Sequence, residues 1–291
     1  MSAGAGAALR RLLARDGIIV APGAYDALTA LLVARAGFEL VYLSGAGVSY
    51  AHLGKPDLGL VRADEIVERG RAMAEAVDVP ILADGDTGFG NALNVQRTVR
   101  AYEDAGLAGI QLEDQVFPKR CGHLAGKEVV PAAEMAGKIR AACDARRDAD
   151  FVIVARTDAI ATHGIAEATD RLARYAEAGA DVIFADGPRD DEELRAVPRA
   201  AARPALANMV EGGVTPLRDA AALAAMGYRI VIFPNALLRL FVRQGASLLA
   251  ALHERGTTAG ELGTVATFDE LQRLLGTDEL LARGDSYRGE A

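Results

Sequence analysis

A thiol, an imidazole and two cations fall together at 119–123, where the chain reads Lys119, Arg120, Cys121, Gly122, His123. They follow an apolar run ending in Glu113 and Asp114, inside the stretch IQLEDQVFPKRCGHLAG (110–126). Cations beside a thiol favour the thiolate, so Cys121 can carry a proton near neutral pH. A second acidic group, Asp84 and Asp86, lies in DGDTGFG (84–90). Residues two apart on an extended chain face the same side. Unpaired carboxylates that close raise each other's pKa, and a divalent cation removes the conflict. With Glu113 they form an all-oxygen donor set, which favours Mg²⁺, or Mn²⁺, over zinc. Ser44, Gly45 and Ala46 offer a hydroxyl and open backbone N–H groups suited to an anionic oxygen. Arg156 closes the apolar run FVIVAR and needs an anionic partner, either a substrate carboxylate or a nearby acid. His52, His163 and His253 have no matching partners nearby in sequence and read as surface or packing residues. Cys143, in an Ala-rich helical stretch, reads as packing.

These groups must be positioned by elements, and short apolar runs alternate with longer amphipathic ones along the whole chain. Strands are expected at 17–21, 39–44, 80–84, 109–113, 151–156, 181–185, 204–208 and 229–233. Helices are expected at 24–36, 62–76, 91–105, 132–144, 165–178, 191–197 and 216–226. Near-continuous apolar strands are buried on both faces. Gly37, Gly106, Gly179 and Gly227 fit helix C-terminal positions. Eight such units predict a closed (β/α)8 TIM barrel, whose active sites lie at the C-terminal ends of the strands. That rim collects Tyr42 and 44–47, Asp84 and Asp86, Glu113 and Asp114, Arg156 to Asp158, Asp186, and Asn208 with Glu211 beyond. The chain is read as one barrel domain, 1–291, with 235–291 as a C-terminal helical extension. That extension holds a long apolar helix (236–253) and a terminal helical segment (268–281). Surplus apolar helix covers another subunit, so an oligomer is expected.

The 291 residues suit one barrel of about 250 residues plus this extension. A net charge of −8 argues against nucleic acid as a partner. No apolar run is long enough to span a membrane, and the N-terminal stretch lacks the h-region of a secretory signal. Two distant cysteines make no disulfide framework, so a reducing, cytoplasmic setting is expected.

At these residues the chain resembles the isocitrate lyase/phosphoenolpyruvate mutase superfamily. The matching motifs are YLSGAG (42–47), DGDTGFG (84–90), QLEDQ (111–115), PKRCGH (118–123), VARTDA (154–159) and LANMVEGG (206–213). They follow the family's order and spacing, and KRCGH belongs to the lyase branch. The resemblance implies a (β/α)8 barrel whose last long helix is exchanged between subunits, usually in a homotetramer. It implies Mg²⁺ bound directly by Asp86 and through waters by Asp84 and Glu113. The 115–129 loop would close over substrate and bring Cys121 in as the catalytic acid/base.

The chemistry so implied is retro-aldol cleavage of a 2-hydroxy acid to a 2-oxo acid and a carbanion that Cys121 protonates. Lys119 and His123 would tune the thiol, and Tyr42 would accept the hydroxyl proton. Arg156 and the 44–46 backbone would hold carboxylates, with Gly122, Asp186, Asn208, Glu211 and His123 as further substrate contacts. Methylisocitrate lyases present Glu where this chain has Asp186, and a late Arg where it has Phe268. A missing cation implies a missing substrate carboxylate. The expected substrate is therefore 2,3-dimethylmalate or another alkylmalate, with 2-methylisocitrate as the alternative and Arg239 as a replacement cation. A carboxyphosphoenolpyruvate phosphonomutase, an oxaloacetate-processing relative and a non-catalytic anion-binding barrel are the remaining readings.

Overall fold

The computed structural model describes residues 4–122 and 126–288. Eight parallel strands close into a barrel in sequential order. They are β1 (Ile19–Ala24), β2 (Val41–Leu43), β3 (Ile81–Asp84), β4 (Gly109–Glu113), β5 (Val152–Thr157), β6 (Val182–Ala185), β7 (Ala205–Asn208) and β8 (Tyr228–Phe233). The seam pairs β1 with β8, Ile19 opposite Ile230 and Pro22 opposite Phe233. Between strands run α2 (Ala27–Arg35), α3 (Gly45–Val48), α4 (Ala63–Ala76), α5 (Ala92–Asp104), α6 (Ala132–Ala145), α7 (Ile160–His163), α8 (Ile165–Glu177), α9 (Asp191–Ala196) and α10 (Ala220–Met226).

The interior is filled by side chains from seven of the strands, including Ala21, Tyr42, Leu82, Val154, Phe184, Leu206 and Ile232, with Ala108 just before β4. Small and branched residues suit the layered packing of a barrel core. An N-terminal helix, α1 (Ala5–Ala14), adds Leu9 and Leu12 to that core. Arg229 fixes it by bonding the carbonyls of Leu12, Leu13 and Gly17. The N-terminal stretch, unassigned from the sequence, thus plugs the end of the barrel opposite the rim.

The chain divides into two compact units, Met1–Ala236 and Leu237–Ala291. The second contains most of α11 (Ala236–Arg255) and then α12 (Phe268–Leu275) and α13 (Thr277–Ser286). The expected single segment at 268–281 is two helices, because Gly276 takes a left-handed conformation (φ 68°) and caps α12. Leu240, Phe241, Leu249 and Phe268 are exposed on this unit. Among the described residues no helix is long and apolar enough to cross a membrane.

Candidate active site

The rim residues converge on a narrow cavity lined by Tyr42, Ser44, Ala46, Asp57, Asp84, Lys119, Cys121, Gly122, Arg156, Asp186 and Asn208, with Asn235 closing it from the end of β8. β2, β3, β5, β6 and β7 deliver Tyr42, Asp84, Arg156, Asp186 and Asn208 because each residue lies within one position of its strand's C-terminal end. Gly45 lets Asp84 approach: a Cβ there would lie 2.9 Å from Asp84 Oδ2.

The relation between Asp84 and Asp86 differs from that of an extended chain. β3 ends at Asp84, and Asp86 adopts a left-handed conformation (φ 44°). This is uncommon for a residue with a Cβ and is a form of strain found at functional sites. The Asp86 backbone N–H donates to Asp84 Oδ1 at 3.1 Å, and Glu113 N–H donates to the Asp86 carbonyl at 2.8 Å. A tight turn, not strand alternation, therefore brings the three acids to one place.

Lys119 departs from expectation. Instead of tuning the thiol, its ammonium lies 2.7 and 2.8 Å from the two carboxylate oxygens of Asp57 and 2.8 Å from Asp86 Oδ1. Burial opposes its charge, yet the surrounding acids outweigh it and hold Lys119 well above its usual pKa. Asp57 went unrecognised in the sequence because it lies in a loop, in GKPD, with no periodicity to mark it.

Four acids crowd this region, and burial acts on them. Asp86 is pushed up to about 7 by burial, against the pull of Lys119 and with the repulsion of Asp84 and Asp57. Burial drives Glu113 well above the carboxylate range, although Arg156 Nε is 3.4 Å from its Oε2. Asp86 Oδ1 and Glu113 Oε1 are buried without an aligned hydrogen-bond donor. Among the described residues no three acids, histidines or cysteines stand ready as a chelating group. The ammonium of Lys119 sits among them. The donor set nonetheless fits a hard divalent cation: it is all oxygen and rich in carboxylates, with Glu113 Oε1 buried without a donor and Asp86 Oδ1 held by a cation, Lys119.

Arg156 is the counterweight. Its guanidinium bonds Asp158 with Nε (2.8 Å) and an Nη (2.9 Å), bonds Asp186 at 3.1 Å, and stacks 5.3 Å from the Phe184 ring centroid. Of the two readings of Arg156, the structure shows the pairing with acids, and the same side chain lines the cavity. Burial works against ionising Asp158, but Arg156 and Lys127 overcome it and hold its pKa below the usual range. Asn208 donates to Asp186 Oδ1 at 2.9 Å, and its own buried Oδ1 has no donor. Tyr42 donates to Gln111 at 3.2 Å, and burial beside Asp84 raises its phenol well above 10, so it holds its proton at neutral pH.

The loop after β4 is tied at its base and tip. Gln115 bridges Val129, and Val116 N–H donates to the Glu128 carbonyl at 2.8 Å. Gln115 holds Arg120 by its backbone at 3.0 and 2.8 Å. Lys127 reaches the Gly122 carbonyl and Asp158. Cys121 N–H donates to the Asp57 carbonyl at 3.0 Å. A Cβ on Gly122 would overlap Asp186 Oδ2 and crowd Arg156, so only glycine brings this backbone so close. His123 lies outside the described residues. Glu211 is half-buried beyond β7 and is not in the cavity wall. Arg239 is exposed on α11 in the second unit.

Compared with known proteins, residues 9–253 match the family described as phosphoenolpyruvate phosphomutase. The chain belongs to this family. Among its relatives, the chain is 50% identical to a 2,3-dimethylmalate lyase of Eubacterium barkeri, covering 94% of this chain and 95% of that one. It is 43% identical to a 2-methylisocitrate lyase of Aeropyrum pernix, over 97% and 96% of the two chains. A crystal structure of 2,3-dimethylmalate lyase, a member of the PEP mutase/isocitrate lyase superfamily, superposes with a TM-score of 0.94 at 38% identity, covering 100% and 98%. A phosphonopyruvate hydrolase solved with oxalate and Mg²⁺ gives 0.88 at 33%, covering 99% and 100%. This family member therefore shares its barrel with enzymes acting on small carboxylates, one of them captured with a divalent metal.

Proposed function

We propose that this chain is a Mg²⁺-dependent carbon–carbon lyase that cleaves a 2-hydroxy dicarboxylate of the 2,3-dimethylmalate or alkylmalate type into pyruvate and a monocarboxylate. The observation that carries the reading is the meeting, in one cavity wall, of the Cys121 thiol, the Arg156 cation and the acidic turn at Asp84. An anion-binding barrel alone has no use for a thiol acid beside unsatisfied carboxylates. The match to the 2,3-dimethylmalate lyases supports the substrate class.

Arg156 and the 44–46 backbone hold the substrate carboxylates. Asn208, through its open Oδ1, accepts a hydrogen bond from the substrate hydroxyl. Asp84, Asp86 and Glu113 would hold Mg²⁺, or Mn²⁺, which when bound acidifies that hydroxyl and offsets the substrate's charge. The hydroxyl proton passes to a water molecule before the loop closes, the O–H electron pair forms the carbonyl of the 2-oxo acid, and the C2–C3 bond breaks with its electrons going to C3. The Cys121 thiol gives its proton to C3 and, once the products leave, the thiolate regains one from water, so protons balance over the cycle. Tyr42, held neutral, acts as a hydrogen-bond donor to oxygen in place of the acceptor role expected of it. The 115–129 loop closes over the substrate and excludes water, with Gly122 against Asp186 as its closed contact. We infer that 235–291 is a helical extension of a single barrel domain, its exposed apolar residues covered in a homotetramer by helix exchange. The setting is reducing and cytoplasmic, consistent with Cys121 and Cys143 standing outside any disulfide.

A second reading, 2-methylisocitrate cleavage to pyruvate and succinate, is favoured by the 43% relative. Phe268, uncharged, argues for the smaller substrate. The test is product detection with purified protein and Mg²⁺ on 2,3-dimethylmalate, other alkylmalates, 2-methylisocitrate, isocitrate and oxaloacetate, each with an EDTA control. Pyruvate from an alkylmalate, abolished by EDTA, is the expected result. Pyruvate and succinate from 2-methylisocitrate alone would replace the substrate assignment. Cys121→Ser is expected to slow turnover by about 10²–10⁴-fold while substrate binding, read calorimetrically, survives. Near-normal turnover would remove Cys121 from the chemistry.

A further inference from the structure

One lysine of the loop after β4 turns inward where its neighbours face water. Gly126 and Glu128 are exposed, and Lys127 between them is 7% exposed. A lysine in such a stretch can keep its ammonium in solvent, so burying it calls for partners. Three oxygens surround it. Its Nζ donates to the Gly122 carbonyl at 2.5 Å and to Asp158 Oδ1 at 3.0 Å, and lies 4.0 Å from Asp186 Oδ2. Asp158 Oδ1 also accepts from an Arg156 Nη at 2.9 Å, so one carboxylate oxygen joins Lys127 to the arginine of the cavity wall. The Gly122 carbonyl comes directly after Cys121, whose N–H is held by the Asp57 carbonyl at 3.0 Å. The backbone that carries the thiol is therefore tied on both sides, to Asp57 before it and to Asp158 after it. Cys121, Gly122, Arg156 and Asp186 line the cavity and Lys127 does not. The cleavage steps use none of the Lys127 contacts.

We propose that Lys127 is a positioning residue for the cleavage reaction: its ammonium clamps the Gly122 carbonyl to Asp158 and so fixes the Cys121 backbone at a set distance from Arg156. Its catalytic meaning rests on the lyase reading above. Proton delivery to C3 requires the thiol to meet a carbon whose place is set by the carboxylate that Arg156 holds. The clamp joins these two ends of the reaction through a single ammonium. A hydrogen bond donated by a charged group is stronger than one between neutral groups, and burial shelters it from competing water. A displacement of about 1 Å between reacting groups can cost on the order of a hundredfold in rate. Lys127 supplies no proton to the substrate and acts through the residues it joins.

The test begins with hydrogen–deuterium exchange of the full-length protein, read by peptide mass spectrometry, which needs no turnover. Lys127→Met keeps the length of the side chain and removes its charge and its donors. Exchange at the Cys121 amide is expected to be about tenfold faster in this variant, with the barrel strands unchanged. Equal exchange at Cys121 in both proteins would overturn the proposal. In the lyase assay kcat is expected to fall about a hundredfold with KM within about threefold. A raised KM with kcat kept would make Lys127 an aid to substrate binding through Arg156 and overturn the positioning role. Lys127→Ala removes the atoms that propylammonium contains. Propylammonium is expected to raise kcat of this variant about tenfold and to slow exchange at Cys121. Tetramethylammonium, of the same charge but without an N–H, is expected to do neither, and an equal response to both ions would overturn the clamp. Exchange is measured on both variants, so either one that folds decides. A wild-type protein that releases no 2-oxo acid would overturn the lyase reading, while exchange at Cys121 would still decide the clamp.

Discussion

Two carboxylates adjacent in sequence, Glu113 and Asp114, are both buried and are held in opposite ways. Asp114 takes donors from Thr157 Oγ1 (2.7 Å), Tyr175 OH (2.8 Å), the Asp158 N–H (2.9 Å) and Arg171 (3.1 Å). It joins β4 and β5 to α8. Glu113, one residue earlier and so on the other face of the strand, meets Arg156 only at 3.4 Å and leaves Oε1 without a donor. A buried acid with its lone pairs filled is part of the frame. One left unfilled costs stability and is kept for a ligand.

The comparison can be broken by exchange of single oxygens. The largest expected effect is at Glu113→Gln: metal-dependent turnover drops on the order of a thousandfold, while urea unfolding shows stability unchanged or raised. A clear loss of stability there would place Glu113 with the frame. Asp114→Asn comes next. It removes the buried charge facing Arg171, which keeps Glu167, and weakens the strand–helix junction, for about 3 kcal/mol lost in urea titration, while the protein that remains folded keeps most of its turnover per molecule. Loss of turnover without loss of stability would invert the assignment.

A similar effect sharpens the same contrast by pH. Asp86 in the folded, metal-free chain titrates at about 7, above the roughly 3.9 of an unfolded aspartate. Between these values the folded state binds more protons than the unfolded state, so stability falls as pH rises. The metal-free protein is expected to lose about 3 kcal/mol, several degrees of Tm, between pH 4.5 and 7.5. Asp86→Asn should flatten that slope, and Mg²⁺ at pH 7.5 should restore what was lost. A Tm that climbs over this interval would show that Asp86 is satisfied as Asp114 is. The smallest effect expected is at Cys143→Ala, under about 1 kcal/mol and without effect on turnover.

The barrel was legible because a strand buried on both faces has a signature of its own, and β4 lies at the expected 109–113. The short elements were not: α3, the turn at Ser49–Leu53 and α7 hold too few residues for a period to show. The helix expected from 216 begins only at Ala220, where Asp219 caps it by accepting the Ala222 N–H at 2.8 Å. In the site, Asp84, Arg156, Asp186 and Asn208 were readable because a strand end announces each. Asp57 was not, since its importance lies in which distant loop it touches. Glu113 and Asp114 looked alike in sequence, and what separates them is the donors supplied by β5 and α8.

Gly122 carries one more consequence. Its backbone meets Asp186 and Arg156 across a gap too small for a methyl group. Such a contact has no intermediate setting: the surfaces touch, or water separates them. Packed surfaces of this kind switch between discrete arrangements instead of stretching continuously. If the loop closes as proposed, the Gly122 contact makes it a two-position latch, and the dwell time of product in the barrel is set by how often that latch lifts.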